Sequence, residues 1–215
     1  MCGRFTLTQP EAIADHFGVE VAPVPPPRFN IAPGQPLGVI CQGTDQPRQF
    51  RLMQWGLIPS WAKDPTLGRR LINARAETAP SKPSFRSAFR HRRCLLPADG
   101  FYEWQTQTTG KQPYYFKFVD HRLFALAGLW ESWQGLETCT ILTTEANALL
   151  TPIHPRMPLI LDPQQYASWL DPQTPHQALL PFLQPYSPAQ MVAYPVSRWV
   201  NRPDHDSAAC LHPQS

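Results

Sequence analysis

The sequence has few charged residues and lacks the features of membrane-spanning, coiled-coil and repeat proteins. Asp, Glu, Lys and Arg together make up 16% of the 215 residues, against roughly 25% in an average domain. No apolar run approaches the ~18 residues that span a bilayer, and no export signal precedes the chain. No repeat, low-complexity tract or linker divides it. We therefore expect one soluble domain over residues 1–215, in the cytoplasm and without a membrane partner.

The cysteines lack the spacing of a metal site or of a disulfide framework. They are odd in number and far apart, at Cys2, Cys41, Cys94, Cys139 and Cys210, and none forms a C-x-x-C pair. In a reducing compartment we expect all five as free thiols, with no metal and no other cofactor. Three of them lie in apolar, strand-like runs and are expected as small core residues.

Proline is abundant, and its distribution limits the helices. The chain has 26 prolines, more than twice the usual share of about 5%. Because proline lacks an N–H donor and clashes inside a helix, helices should be short and should start at a proline. Helices are predicted at 8–17, at 145–150 after Thr144, after Asp162-Pro163 and after Thr174-Pro175. The proline-rich segment 20–36 is predicted as an ordered loop.

Alternating apolar residues predict many strands with few helices between them. The predicted strands are 37–41, 49–57, 94–97, 114–119, 123–130, 138–143, 157–161 and 191–196. This arrangement is typical of an α+β domain with a mostly antiparallel, barrel-like sheet and short peripheral helices.

The excess positive charge is confined to one quarter of the chain. Residues 51–100 hold ten basic residues against three acidic ones, whereas the whole chain has a net charge of only +3. Trp55, Trp61, Phe85 and Phe89 lie among these basic residues. Arginine and lysine bind phosphates and aromatic rings stack on bases, so the pattern favours single-stranded nucleic acid. A solvated face above core aromatics is the alternative.

Cys2 follows the initiator methionine, and this position gives it unusual chemistry. Removal of Met1 would leave an amine and a thiol on adjacent carbons. The amine, with a reference pKa of ~7.7–8.0, is partly neutral near pH 7. It can condense with an aldehyde, and the neighbouring thiol can then close a five-membered thiazolidine ring at high effective molarity. An N-terminal-nucleophile hydrolase that begins Met-Cys-Gly would use the same residue, so both classes stay open at this point.

A series of short motifs identifies the family that the sequence resembles. In chain order they are MCGRF at 1–5, FNIAP at 29–33, WGLIPSW at 55–61, NARAET at 73–78, RCLLPA at 93–98, GFYEW at 100–104, AGLWE at 127–131, LTTEAN at 142–147 and HPRMP at 154–158. In this order they resemble the SRAP (SOS response-associated peptidase) family over about residues 1–200. The segment 204–215 shows no strong family pattern and is expected as a loop-like tail without an assigned role.

The resemblance implies four catalytic residues. Cys2 resembles the nucleophile, Asn73 the residue that holds the N-terminal residue and the sugar, Glu103 the catalytic glutamate, and His154 the catalytic histidine. A partly buried carboxylic acid can open the sugar hemiacetal near neutral pH, and a histidine can move a proton. The alternatives are a surface carboxylate for Glu103, a turn residue for Asn73 and a structural histidine for His154.

The resemblance also implies a set of DNA-binding residues. Arg4, Arg75 and Arg156 resemble arginines that bind phosphates on either side of the lesion, while the sequence alone offers Glu77 as an ion-pair partner for Arg75. The remaining DNA-binding residues that the resemblance suggests are Asn30, Trp61 and Trp104. Arg86 and Arg90 belong to a basic cluster that is either a second phosphate track or a solvated helix face.

The resemblance implies a protein that crosslinks itself covalently to abasic sites in single-stranded DNA and shields them. We expect a largely single-turnover reaction with lyase-like Schiff-base chemistry, an associated peptidase activity that removes Met1, and a monomer that joins the nucleoid when bound to DNA. An N-terminal-nucleophile cysteine amidohydrolase or protease is the first alternative. The second is a non-catalytic single-strand binding module in which Cys2 is inert.

Overall fold

A computed structural model describes residues 2–214, and most of its regular structure is β-strand. The strands are β1 (Arg4–Leu7), β2 (Arg28–Ile31), β3 (Pro36–Gln42), β4 (Arg48–Trp55), β5 (Asn73–Arg75), β6 (Arg93–Ala98), β7 (Gly100–Gln107), β8 (Gly110–Phe118), β9 (Phe124–Trp133), β10 (Leu136–Glu145), β11 (Arg156–Pro158), β12 (Ile160–Leu161) and β13 (Met191–Pro195). The α-helices are α1 (Ile13–Phe17), α2 (Arg86–His91), α3 (Tyr166–Leu170) and α4 (His176–Leu179). Short 3₁₀ helices lie at Pro10–Ala12, Pro65–Arg70, Pro163–Gln165, Leu180–Phe182, Pro188–Gln190, Arg198–Asn201 and Ala208–Leu211.

The strands form two sheets, one of which closes on itself. The order β13-β8-β7-β1-β2 gives an antiparallel five-stranded sheet. In the second sheet β10, β4, β3, β6 and β9 pair in turn, and β9 pairs back to β10, which closes a five-stranded barrel. Only the β4–β10 pairing in this ring is parallel. The expected α+β class, with one mostly antiparallel and barrel-like domain, is confirmed.

Side-chain alternation explains why the strands form where they do. On β8, Phe116 and Phe118 are buried, while Lys117 between them is partly exposed. β6 is buried along its whole length because it lies between β3 and β9 in the barrel. On β7, Gly100 allows a close approach, since a Cβ there would lie 2.1 Å from the hydroxyl oxygen of Tyr115. This close packing fixes β7 against β8.

All eight predicted strand segments contain strands. The segment 157–161 is divided into β11 and β12, because the Leu159 N–H between them donates to the carbonyl of Leu142. Four further strands, β1, β2, β5 and β7, were not predicted. β2 lies inside 20–36, so part of the expected loop is strand. The five cysteines are free, and Cys41, Cys94 and Cys139 are buried in strands as expected.

The helices are short and several begin at proline, but one predicted helix is wrong. The segment 145–150 is not helical: Glu145 ends β10, and turns follow it. The side chain of Asn147 accepts hydrogen bonds from the N–H groups of Leu149 and Leu150, which stabilises the turns instead. Among residues 2–214, no helix is long and apolar enough to cross a membrane.

The C-terminal segment packs against the N-terminal strands. Its 3₁₀ helix at Ala208–Leu211 buries Cys210, so the expected loop-like tail contains regular structure. Asp206 accepts hydrogen bonds from the N–H groups of Phe29 and Asn30 at 2.6 and 2.9 Å and pairs with Arg28. These contacts place the end of the described chain beside β1 and β2.

Candidate active site

Cys2 and Asn73 are brought together by strands of the two different sheets. Cys2 directly precedes β1, and β5 carries Asn73 along β10, opposite Ile141. The Asn73 side-chain amide donates to the Cys2 carbonyl oxygen at 2.9 Å and to the Ile72 carbonyl oxygen at the same distance. Its buried Oδ1 accepts no hydrogen bond from any residue in 2–214. Asn73 therefore holds Cys2 through its amide group, while its Oδ1 can still accept a hydrogen bond from a ligand.

Cys2 itself is completely buried in the chain that carries Met1. Its side chain has 0% exposure, and its Sγ lies 4.0 Å from the Arg4 carbonyl oxygen. Burial, together with the negative charge of Glu103, raises the pKa of the thiol far above its ordinary value. The group is thus a neutral thiol rather than a thiolate. The predicted removal of Met1 lies outside the described residues.

Glu103 and His154 form an acid–base pair near Cys2. Glu103 lies on β7, and its carboxylate Oε2 is 4.0 Å from His154 Nδ1. The Glu103 side chain is 2% exposed and that of His154 is 25% exposed. Burial raises the pKa of the Glu103 carboxyl, although the positive charge that His154 can carry opposes the shift. A carboxyl with a raised pKa can donate a proton closer to neutral pH.

The loop before β11 orients His154. Its Nδ1 lies 3.1 Å from the backbone nitrogen of Arg156, whose N–H donates to it when the imidazole is neutral. The Arg156 carbonyl oxygen is 3.0 Å from the same nitrogen and can accept from it when Nδ1 carries the proton. The same backbone segment therefore orients the ring in either tautomer.

Glu103 and His154 line an open cleft of about 520 Å³. The other lining residues are Arg4, Trp104, Lys111 and Asn201. Cys2 is not among them, which agrees with its full burial. The cleft thus combines a buried acid, a histidine, two basic residues and an indole. None of the motifs indicated Lys111 or Asn201, because Lys111 lies in a polar hairpin and Asn201 in a short 3₁₀ helix.

Arg4 and Asn30 are both hydrogen-bonded to other groups of the protein. Arg4 Nη1 donates to Asn30 Oδ1 at 2.9 Å and to the Val200 carbonyl at 2.6 Å, and Nη2 donates to the Asn201 carbonyl at 3.0 Å. Asn30 has 0% exposure, and its amide donates to three carbonyls of residues 200–205. A direct DNA contact by Asn30, as predicted, does not fit this burial. Asn30 instead accepts a hydrogen bond from Arg4 and so helps to position the Arg4 guanidinium.

Arg156 rather than Arg75 forms the ion pair with Glu77. The two guanidinium nitrogens of Arg156 lie 2.7 and 3.0 Å from the two carboxylate oxygens of Glu77, and Nη2 also donates to the Thr143 carbonyl. The partner suggested for Arg75 is therefore taken by another arginine. Arg75 is exposed at the end of β5, and its guanidinium forms no hydrogen bond or ion pair with another residue in 2–214.

The two predicted aromatic residues differ in exposure. Trp61 is 60% exposed and lies with Lys63 and Arg70 at a separate cleft of about 440 Å³. Trp104 is partly buried, and its indole N–H donates to the Asn201 side-chain oxygen at 2.8 Å. Trp104 therefore belongs to the wall of the cleft, whereas the indole face of Trp61 is open to solvent.

The basic cluster before β6 divides into exposed and structural residues. Arg86 and Arg90 are exposed on α2. Arg92 pairs with the buried Glu131 at 2.8 Å, and Arg93 is 3% exposed with its guanidinium donating to backbone carbonyls. Arg86 and Arg90 are the most exposed of these four arginines, and their guanidinium groups bind no other residue in 2–214. Within residues 2–214, no three His, Cys, Asp or Glu side chains lie together as metal ligands.

Comparisons with known proteins agree with the family resemblance that the motifs indicate. A family model described as SOS response associated peptidase (SRAP) matches residues 1–203. Abasic site processing proteins YoqW and YoaM of Bacillus subtilis (strain 168) are both 43% identical, covering 96% and 98% of this chain and 97% of each relative. A crystal structure of a protein from Bacteroides thetaiotaomicron is similar over 100% of both chains, with a TM-score of 0.89 and 25% identity.

Proposed function

The chain belongs to the SRAP family, and from this premise we propose that it processes abasic sites in single-stranded DNA by linking Cys2 covalently to the opened deoxyribose. Two of its relatives are named abasic site processing proteins. The observation that carries the proposal is the position of Cys2: Asn73 holds it by a 2.9 Å hydrogen bond, and its thiol is close enough to Glu103 for that charge to raise its pKa.

The reaction begins with the amine of Cys2. Once Met1 is removed, by the protein itself or by an aminopeptidase, this amine attacks the aldehyde carbon C1′ of the opened sugar. The resulting carbinolamine loses one water molecule to give an imine. Burial raises the pKa of the Glu103 carboxyl, and in its protonated form this carboxyl supplies the proton that the departing hydroxyl needs. His154 Nδ1 lies 4.0 Å from Glu103 Oε2, a separation at which a proton passes between them through one water molecule.

The thiol of Cys2 completes the link. Its sulfur adds to the imine carbon, and its proton passes to the imine nitrogen, so the ring forms without an oxidant or reductant. The thiol is protonated beforehand, in agreement with its raised pKa. Tethering the sulfur next to the imine gives the ring closure the advantage of an intramolecular step. The sum is one aldehyde and one aminothiol giving a thiazolidine and one water.

In the chain that carries Met1, the raised thiol pKa does not favour the amidohydrolase alternative. A cysteine nucleophile that attacks an amide acts as a thiolate and needs a lowered pKa, usually from a neighbouring cation. At Cys2, burial and the negative charge of Glu103 both raise the pKa of the thiol instead of lowering it. An imine-forming amine does not require the thiolate.

Intact-mass measurement of the protein mixed with an abasic single-stranded oligonucleotide tests the proposal. We expect one adduct, with the summed mass of the two partners less one water and less the initiator methionine. Cys2→Ala should abolish the adduct, whereas Cys210→Ala, which removes another buried thiol, should leave it. An adduct that survives Cys2→Ala, or a wild-type protein that forms none, would overturn the proposal.

A further inference from the structure

Two basic residues line the cleft beside Glu103 and His154, and they differ in what they already bind. Arg4 uses both terminal nitrogens of its guanidinium for Asn30, Val200 and Asn201. Lys111 is exposed and forms no hydrogen bond or ion pair with any residue from 2 to 214. Its ammonium group therefore keeps its three donors for a ligand.

The hairpin of β7 and β8 places Lys111 next to Trp104. Lys111 is opposite Thr106, and Trp104 is opposite Pro113. Because side chains alternate between the faces of a strand, Lys111, Pro113, Thr106 and Trp104 share one face of the hairpin. An unpaired cation thus lies diagonally beside an indole at the cleft that contains the candidate catalytic acid.

We propose that Lys111 binds a backbone phosphate of the DNA strand whose abasic nucleotide enters this cleft. The inference rests on the proposed function and adds a residue that the motifs did not indicate. A phosphate satisfies the free ammonium, while Trp104 offers a ring for an adjacent base or sugar. This combination of cation and aromatic is typical of surfaces that bind single strands. The two arginines beside the site, Arg4 and Arg156, are already engaged with protein groups.

Salt-dependent binding of an intact single-stranded oligonucleotide tests this role. Lys111→Gln should reduce the slope of log affinity against log salt concentration by about 0.7, the value for one phosphate contact on a single strand. Lys111→Arg should restore the slope. The matched control is Lys117→Gln on the same strand, which removes the same charge about 20 Å further along and outside the cleft.

The outcomes separate this inference from the proposed function. If Lys111→Gln and Lys117→Gln have the same slope, Lys111 binds no phosphate, even when the wild-type protein crosslinks abasic DNA. If Lys111→Gln alone flattens the slope, the phosphate contact stands, whether or not an adduct forms with the abasic strand.

Discussion

The side-chain amide of Asn73 donates to the carbonyl oxygen of Cys2 at 2.9 Å, across 71 positions of the sequence. This hydrogen bond connects the short strand β5 of the barrel sheet to the residue that precedes β1 of the other sheet. The position of Cys2 is therefore fixed by a residue of the other sheet.

Removing this hydrogen bond should slow crosslinking. For Asn73→Ala we expect about a fivefold lower single-turnover rate, the equivalent of about 1 kcal/mol for one hydrogen bond. Asn73→Asp, which keeps the size but loses the donor, should be slowed as well. Affinity for an intact strand should stay the same in both. Time courses on denaturing gels measure the rate, and a wild-type rate for Asn73→Asp would contradict the tethering role.

Breaking the ion pair between Glu77 and Arg156 should strengthen DNA binding. The Glu77 carboxylate holds both terminal nitrogens of Arg156, so it competes with a phosphate for the same donors. The Glu77 side chain is 43% exposed, and such pairs contribute ~0.2–1 kcal/mol. We therefore expect Glu77→Gln to bind an intact single strand up to about fivefold more tightly.

Glu20→Gln is the control for Glu77→Gln, since it removes one negative charge from an exposed position elsewhere. Fluorescence anisotropy at fixed salt measures both variants. Weaker binding by Glu77→Gln than by Glu20→Gln would show that the pair holds Arg156 in a binding-competent position instead of blocking it.

Glu103 should make both stability and crosslinking depend on pH. Burial raises the pKa of its carboxyl in the folded protein, so the folded state binds this proton more tightly than the unfolded chain does. The resulting stabilisation is complete below the ordinary pKa of about 4.3 and is lost as pH rises through the raised value. The melting temperature of Glu103→Gln should therefore change less with pH than that of the wild type between pH 4 and 8.

Crosslinking by the wild type should slow at pH values above the raised pKa of Glu103, because the acid is then ionised. Glu103→Gln should be slow at every pH and should bind an intact strand with nearly the same affinity. Rates at saturating abasic DNA, measured from pH 5 to 8, give the profile. A large loss of affinity in Glu103→Gln would indicate a structural role for this residue.

The C-terminal contacts should contribute measurably to stability. Asp206→Ala leaves the N–H groups of Phe29 and Asn30 without their acceptor and removes the partner of Arg28. We expect the free energy of unfolding to fall by about 2 kcal/mol, within the range for losing a buried hydrogen-bond partner. Asp204→Ala, whose ion pair with Arg202 is exposed, should leave it almost unchanged. Urea denaturation compares the two variants.

Much of the fold was predictable because its strands obey local alternation, as on β8 with Phe116 and Phe118. The strand β1 was missed because it is only four residues long, and β7 because Glu103 interrupts its apolar run. The false helix after Thr144 followed a local capping signal, which the side chain of Asn147 overrides by stabilising turns.

The site residues were indicated by motifs, but their partners were not. Arg156 and Glu77 are 79 positions apart, and no local pattern connects them. The same holds for Arg4 and Val200, which are 196 positions apart. Burial of Asn30 likewise depends on carbonyls of the C-terminal segment. Such pairings follow from the way in which distant elements pack together and not from any stretch of sequence.

The hydrogen bond from Arg4 to the Val200 carbonyl has a consequence for biosynthesis. The third residue after the initiator methionine reaches its acceptors only when residues 200 and 201 have been made. While the chain is still on the ribosome, the amino terminus emerges long before its surroundings exist. Under the proposed function, the surroundings of Cys2 are complete only after residues 200 and 201 have been made, and a chain that stops earlier lacks the carbonyls that hold Arg4.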